Sequence, residues 1–159
     1  MTQRVQLEVS YGARRPWVPR RSQFLQWAAA ALDSTPQALQ PAVPQPAVLS
    51  VRVVGAARSR SLNARYRGKP HPTNVLSFAG AGLAPDGRRF LGELVICAPV
   101  VAREARRAGK PPRAHWALLT VHGVLHLLGF DHECSRQARK MAATEVQILD
   151  RLGFSDPYA

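Results

Sequence analysis

Apolar positions recur along this chain with two periods, and the switches between them outline its elements. Val5, Leu7, Val9 and Tyr11 alternate with polar neighbours, which predicts a strand over Val5–Tyr11. From Phe24 the spacing becomes helical. Phe24, Leu25, Trp27 and Ala28 form a stripe on a helix that Ser22 is positioned to cap and that runs to about Asp33. Ala47–Val54 is β-rich and reads as a second strand, and Ala56–Tyr66 as a short helix with Leu62 and Tyr66 one turn apart. Asn74–Phe78 and Phe90–Cys97 are two further strands, joined by a loop carrying Gly80, Gly82, Pro85 and Gly87. Pro99 suits the first turn of a helix that reaches Arg107 and stops at Gly109 and Pro111. The most apolar helix spans Arg113–Leu128 and ends at Gly129; the last spans Ser135–Leu152 and ends at Gly153. Four prolines mark 35–46 as connector, and the arginine-rich stretch Gly12–Arg21 reads as a basic loop. Strands dominate the first half and helices the second. The expected fold is therefore α+β: one domain over residues 1–159, with a roughly four-stranded mixed sheet packed against about five helices.

Composition narrows the function classes. At 159 residues and 46% hydrophobic, the chain is long enough for one ordinary core. No apolar run approaches the roughly 20 residues of a membrane span, and the N-terminus lacks the apolar core of a secretory signal. Two cysteines, Cys97 and Cys134, make no disulfide framework, so a reducing cytoplasm is the expected location. Lys plus Arg exceed Asp plus Glu by 22 to 10, giving +12. That balance predicts a polyanionic partner, with nucleic acid the commonest. All the basic residues except Lys69, Lys110 and Lys140 are arginines, whose planar fork suits phosphate.

Chemistry concentrates in His122-Gly-Val-Leu-His126-Leu-Leu-Gly129-Phe-Asp-His132. Four residues advance a helix by about 400°, so His122 and His126 share one face, one turn apart. On a continuous helix His132 would lie about 9 Å further along the axis. Gly129 removes that obstacle, because a left-handed glycine ends the helix and lets the chain return. Three neutral imidazoles plus a solvent position make an open, catalytic-type zinc site on a zincin-like helix. Metzincin proteases share this spacing but carry Glu after the first histidine as general base; here that position is Gly123, which disfavours a peptidase. Cys134 is a candidate fourth ligand that would close the site, and Asp131 either a partner for a histidine N–H or a turn residue. His115 reads as structural, and His71, between prolines, is uninformative.

The histidine run resembles the signature of the YbeY endoribonucleases, bacterial rRNA maturation factors. Four more stretches agree in order and spacing: Leu62–Lys69 (LNARYRGK), Pro72–Phe78 (PTNVLSF), Leu91–Cys97 (LGELVIC) and the tail Leu152–Tyr158 (LGFSDPY). Pro70 and Glu93 stand where the family usually has Asp, and Ala142 where Glu often follows the methionine. The resemblance implies one zinc ion (Zn2+) on His122, His126 and His132, a functional arginine at Arg67, and hydrolytic cleavage of single-stranded rRNA. It also implies work in 16S rRNA 3′-end maturation and ribosome quality control with the small ribosomal subunit and its proteins. Arg67 would stabilise the extra negative charge of a phosphorane-like transition state. Arg58, Arg60, Arg65 and Lys69 around the short helix, and Arg103, Arg106, Arg107 and Lys110 on one broad face of the later one, are candidates to hold the strand. The competing reading is a ribosome-associated RNA-binding assembly factor with a structural zinc. The sequence names no general base.

Overall fold

The computed structural model describes residues 5–34, 47–80 and 87–159. The connector 35–46 and most of the glycine loop expected after Phe78 lie outside them. Chain order is β1 (Val5–Tyr11), α1 (Arg21–Ser34), β2 (Ala47–Val54), α2 (Ala56–Arg67), β3 (Val75–Ala79), β4 (Arg89–Cys97), α3 (Ala98–Ala108), α4 (Pro112–Leu127) and α5 (Ser135–Arg151). The α+β expectation holds, with a four-stranded sheet and five helices among the described residues. One end signal differs: Ser22 lies inside α1 rather than capping it, and the Gln23 side-chain carbonyl accepts the Arg20 N–H instead (2.9 Å).

The sheet order is β1-β2-β4-β3. β1, β2 and β4 run parallel, while β3 pairs antiparallel to β4 at the edge, Val75 opposite Ile96 and Ala79 opposite Gly92. A bulge opposite Val48 and Leu49 leaves Leu91 without a partner on β2. Glycine is required beside it: a Cβ on Gly92, whose φ is +144°, would sit 2.3 Å from the Phe78 carbonyl oxygen.

Alternation along the strands sends two sets of side chains to opposite faces. Leu49, Val51, Val53, Leu94 and Ile96 meet Phe24 and Trp27 of α1, Trp116, Val121 and Leu125 of α4, and Met141, Ile148 and Leu149 of α5 in the main core. Phe24 packs edge-on against both Trp27 and Trp116. Val54, Leu76, Val95 and Cys97 point the other way and form a smaller cluster with Val100 and Leu62. Helix α4 is thus almost wholly interior, which explains its nearly unbroken apolar sequence.

Helix α2 is different, since its buried positions include two polar side chains. Ser59 exchanges hydrogen bonds with the backbone of Thr73 (3.0 Å each way), and Asn63 donates to the His71 carbonyl (2.8 Å). These bonds fasten the 70–73 segment to α2 and so deliver Asn74 and the start of β3 to a defined place. The Cys97 N–H then donates to the Asn74 carbonyl (2.9 Å), tying the beginning of β3 to the end of β4.

Candidate metal centre

The three histidines meet as their spacing predicts. His122 and His126 lie on α4, with ring centroids 4.7 Å apart. The helix then ends in a Schellman motif: Gly129 N–H donates to the His126 carbonyl and Phe130 N–H to the Leu125 carbonyl, both at 3.0 Å. Gly129 has φ +100°, a conformation that a side chain would strain. Buried Phe130 anchors the returning chain, and Asp131 accepts the His132 N–H at 2.7 Å. Asp131 is therefore a turn residue. The His132 ring comes to 5.0 Å from His126 and 6.0 Å from His122, centroid to centroid.

One nitrogen from each ring lies within 4.8 Å of the others. The Nε2 atoms of His122 and His126 are 3.1 Å apart, close to the roughly 3.3 Å edge of a tetrahedron with zinc–nitrogen bonds of about 2.0–2.1 Å. Protonation also suits a cation. His122 Nδ1 lies 2.7 Å from the Glu145 carboxylate, which is 1% exposed. A carboxylate accepts only, so the proton sits on Nδ1 and the Nε2 lone pair faces the cluster. Burial, followed by the neighbouring His122 and His126–His132 repulsion, holds His126 below the usual imidazole range. It is therefore biased to the neutral, ligating form. Glu145 is itself held by Tyr158, whose hydroxyl donates to its other oxygen at 2.5 Å. Burial and that bond push the Tyr158 phenol strongly upward, so it remains a donor. The residues fit a divalent cation.

Among the described residues, Cys134 does not join this group; it is exposed and precedes the first turn of α5. The closed-site alternative loses its ligand. Gly123 has a reason of its own, since a Cβ there would meet Leu94 Cδ2 at 2.7 Å. The position after the first histidine faces the sheet, not the rings.

The rings form one wall of a groove of about 430 Å³. Backbone and side chains of β3, including Ser77, form the other, and Arg67 stands at its margin. Helix α2 runs one residue beyond the expected Tyr66, which makes Arg67 its last residue before left-handed Gly68. Its guanidinium donates to the Ser77 carbonyl (3.2 Å) and lies over the Phe78 ring. Arg58, Arg60, Arg65 and Lys69 are exposed on or just after α2, and Arg103, Arg106 and Arg107 are exposed on α3; none lines the groove. Lys110 departs from the expectation. It follows the left-handed Gly109 that ends α3, so it leaves the α3 face, and its ammonium is bound to the Pro157 carbonyl. His115 is structural as expected, paired with Glu104 at 2.9 Å.

Sequence reading missed Glu145 and Tyr158. Glu145 carried a signal, because it stands between Met141 and Ile148 on the buried stripe of α5, where a carboxylate needs a partner. Tyr158 carried none outside the family tail.

A family model described as endoribonuclease YbeY matches residues 16–153. The chain belongs to the YbeY endoribonuclease family. Among its relatives, an endoribonuclease YbeY of Stenotrophomonas maltophilia (strain R551-3) is 49% identical over 161 residues, covering 98% of this chain and 94% of the relative. One from Alkalilimnicola ehrlichii is 51% identical over 156 residues, covering 96% and 90%. A solution structure from Thermotoga maritima shares the fold, with a TM-score of 0.55 over 93% of this chain and 92% of that one at 20% identity. No helix among the described residues is long and apolar enough to cross a membrane.

Proposed function

We propose that this chain is a zinc-dependent, single-strand-specific endoribonuclease that acts in 16S rRNA 3′-end maturation and ribosome quality control, in the cytoplasm and with the small ribosomal subunit as partner. Membership of the YbeY family supports the endoribonuclease role. The observation that carries the metal-dependent reading is the convergence of three imidazole nitrogens within 4.8 Å on a groove that also holds Arg67.

His122, His126 and His132 would hold a divalent cation, which would supply Lewis-acid stabilisation to a phosphoryl oxygen. The chain's residues do the rest. His122, His126 and His132 present one ring nitrogen each, and Glu145 accepts the His122 Nδ1–H. Arg67, restrained by Ser77 and Phe78, sets a fixed positive charge beside the place where phosphoryl charge grows. The β3 edge gives an extended strand a surface to lie along. The exposed arginines of α2 and α3 supply long-range attraction to the RNA.

The test is cleavage of single-stranded RNA by zinc-loaded protein and by a His126→Ala variant of equal thermal stability. Loss of cleavage in the variant supports the reading. Equal cleavage by both overturns it and leaves the assembly-factor alternative.

A further inference from the structure

A second cavity, of about 290 Å³, adjoins the groove through Asn74, Val75 and His122, which line both. Neither the metal ligands nor Arg67 account for what it contains. Glu104 of α3, His115 of α4 and Asn74 before β3 bring three polar side chains together here from separate elements. The Asn74 amide donates to both Glu104 oxygens, at 3.0 Å to Oε1 and 3.4 Å to Oε2, and His115 Nε2 lies 2.9 Å from Oε1. Asn74 is fixed at its other end as well, since its Oδ1 accepts the Val75 N–H at 2.7 Å.

This arrangement is more than a tie between helices. Oε1 takes two close partners, whereas Oε2 has only the long contact to Asn74, and the Glu104 side chain stays 36% exposed. A carboxylate has about four acceptor positions, so Oε2 keeps capacity for a donor from outside. The remaining walls are Val75, Leu118, Leu119, His122, which the groove shares, and Tyr158, whose hydroxyl is held elsewhere by Glu145. An acceptor-only carboxylate at one side and an aromatic ring at another is the chemistry that takes a planar base bearing N–H donors.

We infer that the Asn74–Glu104–His115 cavity is a nucleobase subsite beside the metal centre, selecting a base with an exocyclic amino group that donates to Glu104. The inference rests on the RNA-cleaving reading of the adjoining groove. It makes Glu104 a specificity residue, with Asn74 and His115 holding its carboxylate in place.

The test compares short single-stranded oligoribonucleotides of adenosine and of purine riboside, which lack only the amino group, with cytidine and uridine oligomers as a second pair. Zinc-loaded protein is assayed for cleavage, and for binding with 2′-deoxy versions that resist cleavage by a neighbouring hydroxyl. A hydrogen bond to a charged acceptor predicts about ten-fold preference for the amino-bearing member of each pair. Glu104→Ala, which removes the acceptor, should bring the ratio close to one while zinc content stays at the wild-type value; Glu104→Gln, which loses the charge but keeps an acceptor oxygen, should lower the ratio part-way. Equal binding of both members by the wild type, or a uniform loss across all oligomers in both variants, overturns the subsite. Absence of cleavage together with intact discrimination in binding would instead reject the nuclease reading and leave the subsite standing.

Discussion

Glu145, buried on α5, accepts a hydrogen bond from the Nδ1–H of His122 on α4 at 2.7 Å. The relationship fixes which histidine nitrogen carries a lone pair toward the other two rings, and it does so from 23 residues further along the chain. A group that sets ligand tautomer without touching the ion acts on affinity before it acts on chemistry.

Glu145→Gln should therefore weaken zinc binding about 10- to 100-fold, the range for partners of metal-bound histidines. Tyr158→Phe, which removes only the hydroxyl behind Glu145, should weaken it less. Competition with a chelator reads both. Wild-type affinity in Glu145→Gln would show that His122 is oriented by packing alone.

Folding of the metal-free protein should depend on pH through His126. Its pKa is depressed in the fold, so below the ordinary value near 6.5 the unfolded chain binds a proton that the folded ring resists. Stability is then fully present above that value, falls as pH drops through it, and levels off below the depressed pKa. Urea midpoints of chelator-treated protein measured between about pH 8 and pH 5 should show this fall, and His126→Asn should flatten it. An identical slope in the variant would assign the effect to other groups.

Restoring the protease-like glutamate should not restore protease chemistry. Gly123→Glu drives a side chain into Leu94, which is fully buried, and places a carboxylate against the sheet. The expected cost is about 3 kcal/mol or more, from overpacking and an unpaired buried charge. Denaturant unfolding measures it. A variant as stable as the wild type would mean that the α4–β4 contact is looser than its geometry.

Arg67→Ala should lower RNA cleavage more than RNA affinity, because a charge placed for the transition state is worth little in the ground state. Cleavage rates and binding of the same oligoribonucleotide separate the two effects, and an equal loss in both would make Arg67 a positioning contact. Affinity of either protein should fall steeply with added salt, as phosphate contacts release counterions.

What the sequence determined by itself is whatever depends on local period and spacing. The element order, the shared face of His122 and His126, and the glycine that returns His132 all follow from backbone geometry within a few residues. So does the absence of a protease base at Gly123, although only packing against Leu94 explains why glycine stands there. Other features depend on which elements become neighbours. Glu145 reaches His122, and Tyr158 reaches Glu145, because α5 and the tail close over α4. Arg67 reaches the groove because α2 ends beside β3, while Lys110 is drawn to Pro157 once Gly109 turns it off α3. Asn74, Glu104 and His115 look unrelated in the chain. Which polar groups become partners is set by how distant elements pack together, a nonlocal quantity that hydrophobic periodicity does not encode.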